Sequence, residues 1–89
     1  MTGNAIIDQE EFHFEGTDYI ARLYHPNGKS LVYGEIVYKK NFERPYKEMR
    51  NIARQYLKPY GIEVPTEANR YVTHEAVKKL IQIIRENKR

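Results

Sequence analysis

Alternation of apolar and polar residues predicts three β-strands in the first forty residues. Phe12 and Phe14 alternate with charged neighbours, which is typical of a strand that has one buried face. Residues 18–25 and 31–39 show the same two-residue period, and a glycine-containing turn signal precedes each of these stretches. Short strands joined by tight turns pair with their neighbours in sequence, so the pattern predicts an antiparallel meander.

The first turn signal is Gly16-Thr17, between the first two strands. Glycine at the first central position favours a two-residue turn of type II′. This turn would place aromatic side chains together on one face and opposite charges together on the other. The expected cross-strand pairs are Phe14–Tyr19, Phe12–Ala21 and Glu11–Arg22.

The second turn, within HPNGKS at residues 25–30, admits two registers. A two-residue Asn27-Gly28 turn would pair Leu23 with Val32, Ala21 with Gly34 and Tyr19 with Ile36. A three-residue turn starting at Pro26 would shift the pairing by one and move Glu35 to the buried face. Burying that carboxylate without a partner costs several kcal/mol, which favours the first register, whereas Pro26 favours the second.

Two later segments have the period of amphipathic helices. Residues 45–60 begin with Pro45, which suits a first turn, and precede Gly61, which suits the position after a helix end. The expected apolar stripe of this helix consists of Tyr46, Met49, Ile52, Ala53, Tyr56, Leu57 and Tyr60. Thr73 is the expected N-cap of a C-terminal helix whose buried residues are Val77, Leu80, Ile81 and Ile84.

The predicted fold is therefore a single α+β domain of residues 1–89. It consists of a three-stranded antiparallel β-meander packed against the helix 45–60 and followed by a second, C-terminal helix, in the order β-β-β-α-α. The C-terminal helix would pack beside the first helix or close an edge of the sheet. We expect residues 1–9 to be mobile and residues 86–89 to fray.

Composition argues against an enzyme, a membrane protein and a secreted protein. The chain has no cysteine, no signal-peptide pattern and no apolar run that could span a membrane, so we expect a cytoplasmic protein. Its three histidines show no metal-ligand spacing, and no glycine-rich phosphate loop is present. We therefore expect no catalytic residue, no metal site and no cofactor.

Charge is distributed unevenly along the chain. Residues 1–38 contain two basic and six acidic residues, a net charge of −4, whereas residues 39–89 contain thirteen basic and six acidic residues, a net charge of +7. This asymmetry favours a small non-enzymatic nucleic-acid-binding or regulatory protein that uses a basic helical face. The simpler alternative is an ordinary solvated helix surface. The candidate nucleic-acid-binding residues are Lys39, Lys40, Arg44, Lys47, Arg50, Arg54, Lys58, Lys78 and Lys79.

The alternative function is a protein-interaction module, such as a small adaptor or an inhibitor from a mobile element. It would use the sheet face turned away from the helix 45–60, for partner binding or self-association. The C-terminal helix could equally cover that face. The candidate protein-binding residues are Ile20, Arg22, Tyr24, Leu31, Tyr33 and Val37. Of the eight tyrosines, Tyr24, Tyr33 and Tyr71 are the candidates for stacking on bases, because the others fall on expected core positions.

Overall fold

The computed structural model describes residues 5–45, 47–64 and 72–88. It contains strands β1 (Ala5–Phe14), β2 (Thr17–His25) and β3 (Tyr33–Tyr38), followed by helices α1 (Met49–Leu57) and α2 (His74–Asn87). A 3₁₀ turn, Lys58–Tyr60, extends α1. The sheet is open and antiparallel in the order β1-β2-β3, which confirms the expected α+β class and the β-β-β-α-α order. The expectations for Tyr46 and Tyr71 fall outside the described residues.

The first hairpin keeps the expected buried face but not the expected pairs. Glu15 and Gly16 are its central residues, and their φ angles of 48° and 82° are those of a type I′ turn. Phe12 consequently lies opposite Tyr19, and Phe14 lies opposite Thr17. The predicted register is wrong by two residues. Because side chains alternate between faces with a period of two, the same side chains still face the core.

The second hairpin differs from both predicted registers. The Asn27-Gly28 turn forms and is closed by the Lys29 N–H donating to the Pro26 carbonyl at 2.9 Å, but it lies inside a longer loop, residues 26–32. The observed pairs are Tyr19–Tyr38, Ala21–Ile36 and Leu23–Gly34. They are displaced by two residues from the favoured prediction, so the predicted choice of face is again correct.

Some element boundaries in the structure differ from those expected from the sequence. Residues 5–9, expected to be mobile, form the first part of β1, which carries a bulge between Ile6 and Asp8. Helix α1 begins at Met49, because the N–H groups of Glu48 and Met49 first close a turn on the Pro45 carbonyl. The C-terminal helix is capped as expected, with Thr73 Oγ1 accepting the Ala76 N–H at 3.2 Å, and it continues to Asn87.

Helix α2, rather than α1, lies across the three strands. Its first turn crosses β3 at Gly34, where an added Cβ would lie 2.7 Å from Val77 Cγ2 and 3.0 Å from His74 Cα. Only glycine leaves room for this approach. Helix α1 packs against α2 at one side of the sheet.

One hydrophobic core fills the space between the sheet and both helices. It draws on alternate residues of the strands and on the apolar stripes of the helices. Its buried members are Phe12, Tyr19, Ala21, Leu23, Ile36, Met49, Ile52, Ala53, Leu57, Val64, Val72, Ala76, Val77, Leu80, Ile81 and Ile84.

Ion pairs join the C-terminal end of α2 to the outer strand β1. Arg85 donates to Asp8 at 2.7 Å and to Glu10 at 2.8 Å, and Lys88 donates to Glu10 at 2.9 Å. The hydrogen bond from Arg85 lowers the pKa of Asp8, and those from Lys88 and then Arg85 lower the pKa of Glu10. These contacts hold α2 diagonally over the sheet, from β3 at its start to β1 at its end.

Replacing Arg85 with alanine should make the free energy of unfolding depend less on pH in the acid range. The lowered pKa values of Asp8 and Glu10 stabilise the fold fully above their ordinary values of 3.8 and 4.5, and this stabilisation is lost as the pH falls through the lowered values. Urea unfolding across the acid range measures the effect. The control is Arg54→Ala, which removes an arginine without an ion pair and should leave the shape of the profile unchanged. Parallel profiles for wild type and Arg85→Ala would contradict the assignment.

Candidate functional site

The face of the sheet that α2 leaves open is covered by the chain itself. After β3 the chain turns back through residues 39–45, here called the return segment. The Tyr38 N–H donates to the Glu43 carbonyl and the Phe42 N–H donates to the Tyr38 carbonyl, both at 2.8 Å. Asn41 steadies the turn by bonding to the backbone and the carboxylate of Glu43. This turn lets the side chains of Phe42 and Arg44 reach the second face.

Glu35 is the centre of a buried polar network on this second face. Only 7% of its surface is exposed, and no other charged residue among those described is buried. Arg44 Nε donates to Glu35 Oε1 at 2.6 Å, and Arg44 Nη2 donates to the Tyr24 hydroxyl at 3.3 Å. Arg22 Nε lies 3.5 Å from Glu35 Oε2, a charge contact without a hydrogen bond, while its guanidinium sits 5.0 Å from the Phe42 ring centre.

Most of the predicted protein-binding face is buried in the structure. Ile20, Tyr24 and Val37 are buried, and Arg22 is largely buried beside Glu35. Leu31 and Tyr33 remain exposed, at 58% and 43%. The cover comes from the return segment, because α2 lies on the opposite face. Protein binding by this set stays a prediction, and its accessible members lie at the start of β3.

A cleft of about 690 Å³ opens beside these exposed residues, between the start of β3 and the start of α2. Tyr33 and Gly34 line one side, and residues 73–75 line the other. Met49 and Val72 make part of its wall apolar.

Three of the predicted nucleic-acid-binding cations are engaged within the protein. Arg44 belongs to the Glu35 network, and Lys39 forms an ion pair with Glu11 at 2.7 Å. Hydrogen bonding to Glu11 raises the pKa of Lys39. Lys40 lies over the ring of Tyr38, with Nζ 5.5 Å from the ring centre. All three side chains therefore contact other residues of the protein.

The remaining predicted cations form no ion pair with any described residue. On α1 and its ends they are Lys47, Arg50, Arg54 and Lys58, here called the α1 cation row; on α2 they are Lys78 and Lys79. Lys47, Lys58, Lys78 and Lys79 are exposed. Arg54 donates to the Asn51 side chain at 2.8 Å. Arg50 is half-buried, and its Nη1 is buried without an acceptor in residues 5–45, 47–64 and 72–88. The structure thus separates these cations from the acidic side chains.

A row of aromatic rings runs from β3 to the end of α1. Tyr38 stacks on Tyr19, and Tyr19 stacks on Phe12, each with ring centres 5.5 Å apart. Phe12 meets Tyr56 edge-on at 5.2 Å, and Tyr56 stacks on Tyr60 at 6.3 Å. Burial raises the pKa of Tyr19 in the middle of this row.

Tyr60 departs from the sequence prediction. It was expected on the buried stripe of the first helix, yet it is 47% exposed. The reason is that α1 ends at Leu57 and the chain continues as a 3₁₀ turn, so Tyr60 no longer follows the period of the buried stripe. Pro59 and Gly61, which flank it, were the available signal that the helical period stops before this residue.

Groups typical of metal or acid–base sites are sparse in the described ranges. His13 Nδ1 lies 2.7 Å from Asp18 Oδ1 in an exposed pair at the first hairpin. No cluster of three or more histidine or carboxylate side chains suited to a metal ion occurs among the described residues. Neither helix of that part of the chain combines the length and apolar character needed to cross a membrane.

Comparison with known proteins adds no family to this description: no family model, no curated protein and no solved structure matches the chain.

Replacing Glu35 with alanine should destabilise the fold by about 3 kcal/mol or more, because it leaves two arginines near a buried face without their carboxylate. Chemical denaturation measures the loss. The matched control is Glu11→Ala, which removes a half-exposed carboxylate paired with Lys39 and should change stability little. Equal losses for the two variants would show that the Glu35 network is not a stabilising centre.

Proposed function

We propose that this protein is a small, non-enzymatic nucleic-acid-binding or regulatory protein that contacts phosphates through the α1 cation row. The observation that carries the proposal is that the row forms no ion pair with any described residue, whereas five other cations, Arg22, Lys39, Arg44, Arg85 and Lys88, are paired with carboxylates. Phosphate groups are the multivalent anions that such a row of flexible cations suits.

The distribution of ion pairs in the protein also supports the proposal. Asp8, Glu10, Glu11 and Glu35 all have basic partners within the fold. The described cations without a carboxylate partner are Lys29, Lys40, the α1 cation row, Lys78 and Lys79, so most of them lie on the helices or at their ends. A polyanion approaching this protein would meet its favourable potential at α1 and at the lysine pair of α2.

The spacing along α1 supports it further. Arg50, Arg54 and Lys58 follow one another at intervals of four residues, which brings them to similar sides of the helix about 6 Å apart along its axis. Such a ladder lets several cations contact one sugar–phosphate strand together. Phosphate contacts of this kind position a strand without reading its sequence.

A cytoplasmic location is part of the proposal. The chain contains no cysteine, and small domains exported to oxidising compartments commonly depend on disulfides.

Reversing two charges of the row, Arg54→Glu with Lys58→Glu, should weaken binding to DNA and RNA at low salt. Each lost phosphate contact lowers the slope of log affinity against log salt by about 0.7–0.9. Fluorescence anisotropy across a salt series measures both effects. Arg50 is left unchanged because its partly buried side chain would confuse binding with folding.

Lys58→Glu and Lys29→Glu form the matched pair of single controls. Both residues are exposed lysines and both substitutions change the charge equally, but Lys29 lies in the loop between β2 and β3. We expect only Lys58→Glu to reduce affinity. No binding of wild type at low salt, or equal losses for the two variants, would contradict the proposal.

A protein-interaction module is the second candidate, and the cleft beside β3 favours it. The exposed Tyr33 and the apolar wall of Met49 and Val72 together resemble the anchor and pocket of a protein interface. A small adaptor or inhibitor would engage its partner there.

Tyr33→Ala should then abolish capture of a partner by the tagged protein, whereas Tyr60→Ala should leave capture intact. Both tyrosines are exposed to similar extents, at 43% and 47%. Comparing the two variants therefore distinguishes binding at the cleft from a general effect of losing an exposed aromatic side chain. Light scattering on the purified chain tests self-association in parallel. A monomer that captures no protein would contradict this candidate.

A further inference from the structure

We propose that Tyr60 is a stacking platform for a nucleic-acid base, so that the ligand of the α1 cation row is single-stranded. This inference rests on the proposed function and specifies the class of nucleic acid bound at that site. It is carried by the position, orientation and exposure of the Tyr60 ring.

The Tyr60 ring is held in place from two directions. Its ring stacks on Tyr56 with an interplanar angle of 26°, and its hydroxyl accepts a hydrogen bond of 2.6 Å from Asn87 Nδ2. Tyr56 is itself fixed by contacts with Phe12 and Phe14 of β1. Because the ring is already fixed, stacking on it requires little further loss of side-chain freedom.

The ring also stays accessible, with 47% of the residue surface exposed. A tyrosine that only fills a core buries most of the apolar surface of its ring, so such a residue is rarely both fixed and exposed. A fixed, exposed ring offers a flat apolar surface to another planar group.

Tyr60 follows directly on the α1 cation row. It lies two residues after Lys58, the last cation of the row, and one residue before Gly61, whose φ of 75° turns the chain away. Because Lys58 and Tyr60 are two residues apart in the same 3₁₀ turn, a strand whose phosphate contacts Lys58 would come within reach of the ring. Cations that follow the backbone together with an aromatic ring that stacks on a base are the two elements of sites for single strands.

The other exposed rings lack this combination. Phe42 is 63% exposed, but the guanidinium of Arg22 lies over its ring. Tyr33 is 43% exposed and belongs to the cleft at the start of β3, where Tyr24 tilts against it at 6.0 Å. Phe42 follows Lys39 and Lys40, but these two cations already contact Glu11 and Tyr38, and Tyr33 has no cation in the four residues before it except Lys29.

A duplex and a single strand would therefore use the site differently. Both carry phosphates for the cation row, but the faces of paired bases are covered by their neighbours in the duplex. Stacking on Tyr60 requires an unstacked base, which a single strand supplies at little cost.

The test compares three probes of about twelve units, a length within the range bound by single-strand sites. They are an oligodeoxythymidine, an abasic oligonucleotide with the same phosphates and a DNA duplex. We expect wild type to bind oligodeoxythymidine about tenfold more tightly than the abasic probe, and Tyr60→Leu to remove this difference. Tyr60→Phe, which keeps the ring, should retain most of it, and Tyr33→Ala should retain all of it.

A second measurement does not depend on any variant. The protein has eight tyrosines and no tryptophan, so tyrosine emission can be followed directly. Oligodeoxythymidine should quench this emission in wild type more than the abasic probe does at equal saturation.

Equal affinities and equal quenching for the oligodeoxythymidine and abasic probes would overturn the stacking inference while leaving phosphate binding by the cation row intact. An equal loss of affinity in Tyr33→Ala and Tyr60→Leu would also overturn it. If wild type binds none of the three probes at low salt, the proposed function itself fails.

Discussion

The approach of α2 to β3 at Gly34 is the contact on which the arrangement of this protein depends. Val77 and the backbone of His74 occupy the space that any other side chain would need. With its first turn fixed there, α2 extends over the strands to the ion pairs of Arg85 on β1. The sheet is thereby covered by α2, and α1 is left at one side of it.

This displacement of α1 explains why the candidate site is where it is. The buried stripe of α1 packs into the core, while the α1 cation row lies outside it and away from the carboxylates of the sheet. The helix ends at Leu57, and in the 3₁₀ turn that follows Tyr60 stacks on Tyr56 but keeps an exposed surface. Lys58 and Tyr60 are therefore both exposed at the same end of α1.

The second face of the sheet contains a buried charge that is paired within the protein. Glu35 is buried, but on the face opposite the core and between two arginines. The argument that an unpaired Glu35 could not be buried predicted the correct face. It did not foresee that Arg44, six residues after β3 ends, would return to pair with it and help to close the face that had been expected to meet a partner.

The element types, their order and the side of each strand that faces the core followed from the sequence, because these depend on local periodicity and on turn and cap residues. The sequence also identified the Thr73 cap and the basic helices. The strand registers could be read only from the folded protein, since a shift of two residues preserves the alternation that the sequence reveals. The tertiary structure likewise decided which helix covers the sheet, which cations are neutralised and that Tyr60 is exposed, because these depend on contacts between residues far apart in the chain.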